Sequence, residues 1–227
     1  MNFSNSDLSI KSKNINMIVL QKTYLLLSLT MIPTAIGALI GINLSFSFLA
    51  SSPILGVIAL IAVMYGLMFL VEKNKNGFSG VIWLMIFSLL MGALLGPLLQ
   101  IAAKIPNGSQ LILLAALLTS IVFFVMSAMA FTIKKQTPML TNFLTVGLIV
   151  IFVGMIANIF FHTPMFQLML CGGFVILSSL LILWQVNQIL IGGETSYISA
   201  ALSIYISIYN IFSSLLQILM ALSGNKK

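Results

Sequence analysis

Ionisable side chains are scarce in this sequence, which argues against most enzyme chemistry. Only 6% of its 227 residues are charged, and it has three acids and one histidine. The acids are Asp7, Glu72 and Glu194, and the histidine is His162. A metal site needs several converging ligands, and a hydrolytic triad needs an acid beside a histidine. We therefore expect no enzyme activity, no metal and no cofactor.

Cysteines and cleavage signals are equally scarce. Cys171 is the single cysteine, so no internal disulfide can form, and we expect it to serve in packing. The first apolar run is too long for a removable signal peptide and lacks a small-residue cleavage site. We expect residues 1–23 to form a flexible cytoplasmic tail, followed by a transmembrane bundle over 24–222 and a short tail over 223–227.

What the sequence has in abundance is apolar residues, which make up 60% of the chain. Seven apolar stretches are long enough to span a bilayer, and turn-forming or charged residues separate them. They lie near residues 24–44, 53–71, 81–103, 110–133, 139–161, 165–190 and 198–222. Without the alternation typical of barrel strands, these spans must be helices. The predicted fold class is an all-α membrane protein with seven transmembrane helices.

The net charge of +7 comes from lysines near the ends of the spans, so it encodes orientation and does not suggest nucleic acid as a partner. Most of these lysines fall in the N-terminal segment and in the second and fourth gaps. Lys104 and the terminal Lys226 and Lys227 fall on the opposite side. This bias predicts a cytoplasmic N-terminus and, after seven spans, a C-terminus outside.

Polar side chains recur at helical spacing in the last span, where they form a single file on one face. The file consists of Ser203, Ser207, Asn210, Ser214 and Gln217. Gln185 and Gln188 share a face of the sixth span, and Gly192 and Gly193 are expected to end that helix. The file has two interpretations: interhelical hydrogen bonds that hold the bundle together, or a hydrated passage for cations.

Glycines recur at spacings that let helix backbones approach closely. The predicted packing glycines are Gly37 with Gly41, Gly92 with Gly96, and Gly147 with Gly154. Pro97, directly after Gly96, is expected to bend the third helix and free a carbonyl. These residues predict close helix packing and suggest no catalytic or binding role.

Five stretches in order resemble the Bax inhibitor-1 family, most closely its bacterial inner-membrane branch, the YccA-like proteins. They are "VMYGLMFL", "GALLGPLL", "VGMIANIF", "GGETSYI" and "SIYISIYNIFSSLL". The resemblance covers about residues 20–222. It implies seven helices with the last one central, which would keep the polar file away from lipid.

The resemblance also implies functions. Family members are associated with stress protection and a calcium or cation leak, and the YccA-like branch with modulation of a membrane-anchored AAA protease. In leak-competent relatives, two aspartates share a proton and gate the passage. The matching positions here are Gln185 and Ser207, which do not titrate, so the pH gate should be absent.

Three hypotheses follow from the sequence. The first is a stress and homeostasis factor that modulates membrane-protein quality control through an AAA protease. The second is a weak calcium or cation leak without a pH gate. The third is a membrane protein whose polar file only stabilises the bundle. The expected partners are the lipid bilayer, and either the protease or cations.

Overall fold

The described part of the chain consists of seven helices. The computed structural model describes residues 5–43, 53–133, 138–161 and 163–224. The helices are α1 Asn5–Asn43, α2 Pro53–Lys73, α3 Phe78–Ala103, α4 Gly108–Ala130, α5 Pro138–Phe161, α6 Pro164–Leu190 and α7 Tyr197–Gly224. His162, Lys134, Lys135 and most of the predicted C-terminal tail lie outside the described residues.

The lengths of these helices suit a bilayer. Within the described residues, six helices are long and apolar enough to cross a membrane: all except α2. The α2 helix has 21 residues, about the number that a span requires, and carries no charge before Glu72. The predicted all-α membrane fold is confirmed, and the predicted span boundaries differ from the helix ends by a few residues at most after α1.

The α1 helix differs from the prediction at its start. It begins at Asn5, although residues 1–23 were expected to be a flexible tail. Its 39 residues extend about 58 Å, well beyond an apolar layer of about 30 Å. A helix of this length has room for polar residues beyond an apolar layer. Its polar residues also make specific contacts: Asn16 Nδ2 donates to the Leu190 carbonyl at 3.0 Å.

The helices fall into two compact units. Unit 1 comprises the described parts of Met1–Leu20, Ile101–Thr195 and Ser203–Lys227, and unit 2 comprises those of Gln21–Gln100 and Ser196–Leu202. The α4, α5 and α6 helices therefore belong to unit 1, whereas α2 and nearly all of α3 belong to unit 2. The α7 helix contributes its first turn and a half to unit 2 and its remainder to unit 1.

In unit 2, α1 packs directly on the backbone of α3 through four glycines. A Cβ atom added to Gly37 would lie 2.0 Å from the Leu89 carbonyl oxygen, and one added to Gly92 would lie 2.1 Å from that of Thr34. A Cβ atom on Gly96 would lie 2.2 Å from the Gly41 carbonyl group. No side chain larger than hydrogen fits at this contact.

Pro97 contributes to the same contact without interrupting α3, which continues to Ala103. Proline has no N–H, so the carbonyl of Ala93, four residues earlier, loses its usual helical donor. A Cβ atom added to Gly41 would lie 2.2 Å from this carbonyl oxygen. The freed carbonyl therefore lies against the glycine face of α1.

In unit 1, α5 packs against α6 through leucine and isoleucine side chains. Leu144, Ile151 and Leu177 form a buried cluster, and Trp184 packs against it. The indole nitrogen of Trp184 also donates to Thr141 Oγ1 at 3.2 Å. Gly147 borders this cluster, and a Cβ atom there would lie 2.6 Å from Leu177 Cδ1. Gly154 similarly borders Leu170. At these two glycines, the neighbouring atom is the flexible end of a side chain.

The last helix is among the most buried of the apolar spans. In its most apolar window 39% of the residues are buried, as in α3, compared with 11% in α5. Such burial is what a polar file inside an apolar span requires, because unpaired polar groups are costly in hydrocarbon.

The turn between α6 and α7 follows the sequence prediction. The α6 helix ends at Leu190, and Gly192 has φ +79°, the left-handed conformation that glycine adopts readily. The N–H groups of Gly193 and Glu194 both donate to the Gln188 carbonyl, at 2.8 and 3.2 Å. The turn thus supplies donors for the last carbonyls of α6.

Candidate functional site

The members of the α7 polar file occupy different environments. Ser207 and Ser214 are buried, Asn210 and Gln217 are half-buried, and Ser203 is exposed. Ser207 Oγ donates to the Ser203 carbonyl at 3.0 Å, a bond within its own helix. Ser207 is therefore satisfied locally, as serine often is in a helix interior. The exposure of Ser203 differs from the expectation that protein encloses the whole file.

The other three members of the file line a cavity in unit 1. It has a volume of about 290 Å³ and lies among α5, α6 and the second half of α7. Its lining residues are Met155, Asn158, Gln167, Leu170, Cys171, Phe174, Asn210, Ser213, Ser214 and Gln217. Six of them have an amide or hydroxyl side chain, and none of the ten is charged.

A chain of amide hydrogen bonds crosses the cavity lining from α6 to α7. Gln167 Nε2 donates to Gln217 Oε1 at 3.1 Å, and Gln217 Nε2 donates to the Ser213 carbonyl, also at 3.1 Å. Ser213 Oγ in turn donates to the Asn210 carbonyl at 3.3 Å. These bonds hold the polar groups near the end where α5 ends and α6 begins. From Gln217 to Asn210 the lining extends about 10 Å along α7.

Asn158 on α5 is the exception in this network. Its Oδ1 atom is buried and has no hydrogen-bond partner among the described residues. Buried polar groups are normally paired, and an unpaired one costs about 1–3 kcal/mol. A buried acceptor without a donor, on a side chain that lines a polar cavity, is the feature of this site that packing alone does not explain.

The lining defines what the cavity can do chemically. Carboxamides and hydroxyls both donate and accept hydrogen bonds, so they suit uncharged polar groups and water. No lining side chain carries a charge to balance an ion, and desolvating an ion without a counter-charge is costly. Among the described residues, no three His, Cys, Asp or Glu side chains group as metal ligands do.

The predicted amides of α6 lie outside this cavity. Gln185 and Gln188 are buried in unit 1 but are not part of the cavity lining. Asn187 is buried as well, and its Nδ2 atom donates to the Ile133 carbonyl at 2.7 Å. That carbonyl lies just after the end of α4, where helices leave carbonyls unpaired. Asn187 therefore connects α6 to the turn that follows α4.

Sequence reasoning missed Asn158, Gln167 and Ser213 as members of the site, and assigned Cys171 to packing alone. A usable signal existed for the amides, because each carboxamide inside an apolar span needs a partner. Asn158 and Gln167 lie on either side of the α5–α6 turn, so a search of both flanking helices for amides would have paired them. Ser213 is one position away from the file and had no such signal.

The "GGETSYI" stretch contributes to a different polar cluster, in unit 2. Ser196 Oγ accepts a hydrogen bond from the Ser199 N–H at 3.3 Å, the geometry of an N-terminal cap on α7. The Ser199 hydroxyl donates to the Glu72 carboxylate, and Glu72 pairs with Lys75 at 3.2 Å. This cluster joins the start of α7 to the end of α2 and gives Glu72 a structural role.

Comparison with known proteins identifies the family. The profile described as "Inhibitor of apoptosis-promoting Bax1" matches residues 16–224, nearly the whole chain. The chain belongs to the Bax inhibitor family. The predicted resemblance is thereby confirmed, and two of the stretches that support it, "VGMIANIF" and "SIYISIYNIFSSLL", contribute cavity residues of this Bax inhibitor family member.

Bacterial proteins are similar over almost their full lengths. An uncharacterized protein of Neisseria meningitidis serogroup A is 45% identical over 208 residues, covering 91% of this chain and 92% of that protein. The protein of Escherichia coli K12 named "Modulator of FtsH protease YccA" is 41% identical over 201 residues, covering 88% and 89%. A protein of Escherichia coli O6:H1 with the same identity and coverage is named "Inner membrane protein YccA". This Bax inhibitor family chain is a multi-pass membrane protein.

Proposed function

We propose that the protein modulates a membrane-anchored AAA protease of the FtsH type in the bacterial inner membrane. The observation that carries this proposal is the 41% identity, over 88% of the chain, to a protein named as a modulator of that protease. The family description, an inhibitor, also names a regulatory activity. In this role the protein would act as a homeostasis factor under stress.

The start of α1 is the segment we propose for contact with the protease. It is helical from Asn5, and the bond from Asn16 to Leu190 attaches it to unit 1. The lysine distribution predicts that this end lies in the cytoplasm. Residues before Asn16 therefore extend a helix from an anchored point, which presents a defined surface to a partner.

Deleting residues 2–12 should weaken modulation of the protease while leaving the helical bundle folded, because the deletion retains Asn16. We expect the modulating effect on degradation of a reporter membrane protein to fall severalfold. The measurement is reporter half-life in cells that express the protease with the full or the shortened chain. Asn16→Ala is the matched variant: it keeps the segment but removes its attachment. Unchanged reporter turnover with the shortened chain would contradict contact through this segment.

A second candidate function is a weak cation leak along α7. It is favoured by one observation: Asn210, Ser214 and Gln217 line a common cavity, as a hydrated passage would require. Neutral oxygens can replace water around an ion, but without a fixed negative charge they bind a divalent ion weakly. Gln185 and Ser207 do not titrate, so this leak would lack a pH gate.

Calcium flux into liposomes tests this candidate. We expect a slow flux that Asn210→Leu abolishes and that stays constant between pH 6 and 8, a range in which neither Gln nor Ser changes charge. Ser203→Leu is the control, because Ser203 is exposed and lies outside the cavity lining. A flux that survives Asn210→Leu would exclude the cavity as its route. A steep pH dependence would mean that a titrating group elsewhere gates it.

A further inference from the structure

We propose that the cavity in unit 1 is a binding site for small uncharged molecules that carry an amide group. This site goes beyond protease modulation, since nothing in that role requires a polar cavity among α5, α6 and α7. The inference depends on three properties of the cavity: an acceptor without a donor, an uncharged polar lining, and a small volume.

The acceptor is Asn158 Oδ1, which is buried and has no partner among the described residues. The terminal torsion of an asparagine is soft, and a half-turn exchanges the positions of its oxygen and nitrogen. Because the side chain lines the cavity, such a turn can present the oxygen to a ligand. In that orientation the oxygen accepts from a ligand N–H or O–H group, and in the other orientation Nδ2 donates to a ligand carbonyl, so an amide ligand can pair with Asn158 in either case.

The rest of the lining requires a ligand that also accepts. Gln167 and Gln217 each have a carboxamide with donors and an acceptor, and Ser214 adds a hydroxyl. An amide group has the same combination of one carbonyl and N–H donors, so it can pair with a carboxamide through two hydrogen bonds. An anion or a cation would find no side chain of opposite charge among the lining residues.

The volume limits the size of the ligand, and the apolar walls accommodate its carbon atoms. At about 290 Å³ the cavity is slightly smaller than typical small-molecule pockets, which have volumes of about 300–1,000 Å³. Met155, Leu170 and Phe174 contribute the apolar part of the lining. A ligand with one amide and a short hydrocarbon group would place its amide against the polar lining and its hydrocarbon group against the apolar lining.

Cys171 provides a natural reporter of occupancy. It is the only cysteine of the chain, it lines the cavity, and only 5% of its surface is exposed. Iodoacetamide is itself a small uncharged amide. It alkylates a thiolate as sulfur displaces iodide from carbon, with the thiol proton released to water. A single addition to the intact protein therefore reports entry of an amide into the cavity.

The experiment measures the alkylation rate of Cys171 in the full chain, reconstituted in liposomes, by intact-protein mass spectrometry. We expect acetamide to slow alkylation by iodoacetamide in a saturable manner. N,N-dimethylacetamide, which has no N–H donor, should protect far less at the same concentration. In Asn158→Leu, the affinity for acetamide should fall about tenfold, the effect of one lost hydrogen bond.

Asn142→Leu is the matched control, since Asn142 is an exposed residue of the same helix and its replacement should leave protection unchanged. Equal protection by the two amides, or full protection in Asn158→Leu, would overturn the proposal. A further comparison uses a cationic thiosulfonate reagent, with the Cys171 rate of each reagent divided by its rate with a free thiol. If the two normalised rates are equal, the site does not select uncharged molecules and the proposal fails. Each outcome is independent of the protease, so failure here leaves the proposed function standing.

Discussion

Replacing Gly96 by leucine should prevent the native packing of α1 on α3. A Cβ atom at this position would lie 2.2 Å from both the carbonyl carbon and the oxygen of Gly41 and 2.7 Å from its Cα atom. These are backbone atoms, so no side-chain rotation relieves the overlap, and the two helices must separate. We expect a loss of at least about 3 kcal/mol, the upper part of the range for overpacked cores. The measurement is the thermal midpoint of the detergent-solubilised protein, together with its yield as a monodisperse species.

Two other glycines provide controls of graded severity. Gly66 on α2 has nothing within 4 Å of an added Cβ atom, so Gly66→Leu should leave the midpoint almost unchanged. Gly147→Ala should have an intermediate effect, because the neighbouring atom is the mobile Cδ1 of Leu177. A Gly96→Leu protein as stable as Gly66→Leu would show that α1 and α3 are not in backbone contact.

Hydropathy alone predicts most of this fold, because hydrocarbon permits few alternatives to apolar helices of about 20 residues. The turn glycine Gly192 was predictable for a similar local reason, since the left-handed conformation at a helix end favours glycine. The start of α1 was not predictable from hydropathy. A helix that projects beyond the apolar layer has a polar composition, and only a tertiary contact such as that of Asn16 distinguishes it from a flexible tail.

The candidate site was predicted only in part, for a different physical reason. Helical spacing places Asn210, Ser214 and Gln217 on one face of α7, but it does not show which neighbouring helices meet that face. The residues that complete the cavity, Asn158 and Gln167, come from α5 and α6 and are assigned only by tertiary packing. The same limit explains Ser203, which shares the helical spacing of the file and is nevertheless exposed.

Two asparagines of unit 1, the buried Asn187 and the half-buried Asn158, should respond differently to replacement by leucine. Asn187 donates to the Ile133 carbonyl at 2.7 Å, so Asn187→Leu leaves that carbonyl without its donor at the end of α4. An acceptor left unpaired in this way costs about 1–3 kcal/mol. We expect the thermal midpoint to fall, and Asn187→Asp, which keeps the shape but replaces the donor by an acceptor, to lower it further.

Asn158→Leu should leave the thermal midpoint unchanged or raise it, although it is the same substitution as Asn187→Leu and lies in the same unit. The native Asn158 Oδ1 atom is already unpaired among the described residues, so its removal relieves a desolvation cost of about 1–3 kcal/mol. Asn187→Leu instead creates a cost of that kind, because it leaves the Ile133 carbonyl unpaired. The two variants, measured in one detergent and at one protein concentration, form a direct comparison. A fall in the midpoint for Asn158→Leu as large as that for Asn187→Leu would mean that Asn158 has a partner in solution. A rise in the midpoint for Asn158→Leu would show that Asn158 does not stabilise the fold, as expected of a residue that serves a ligand.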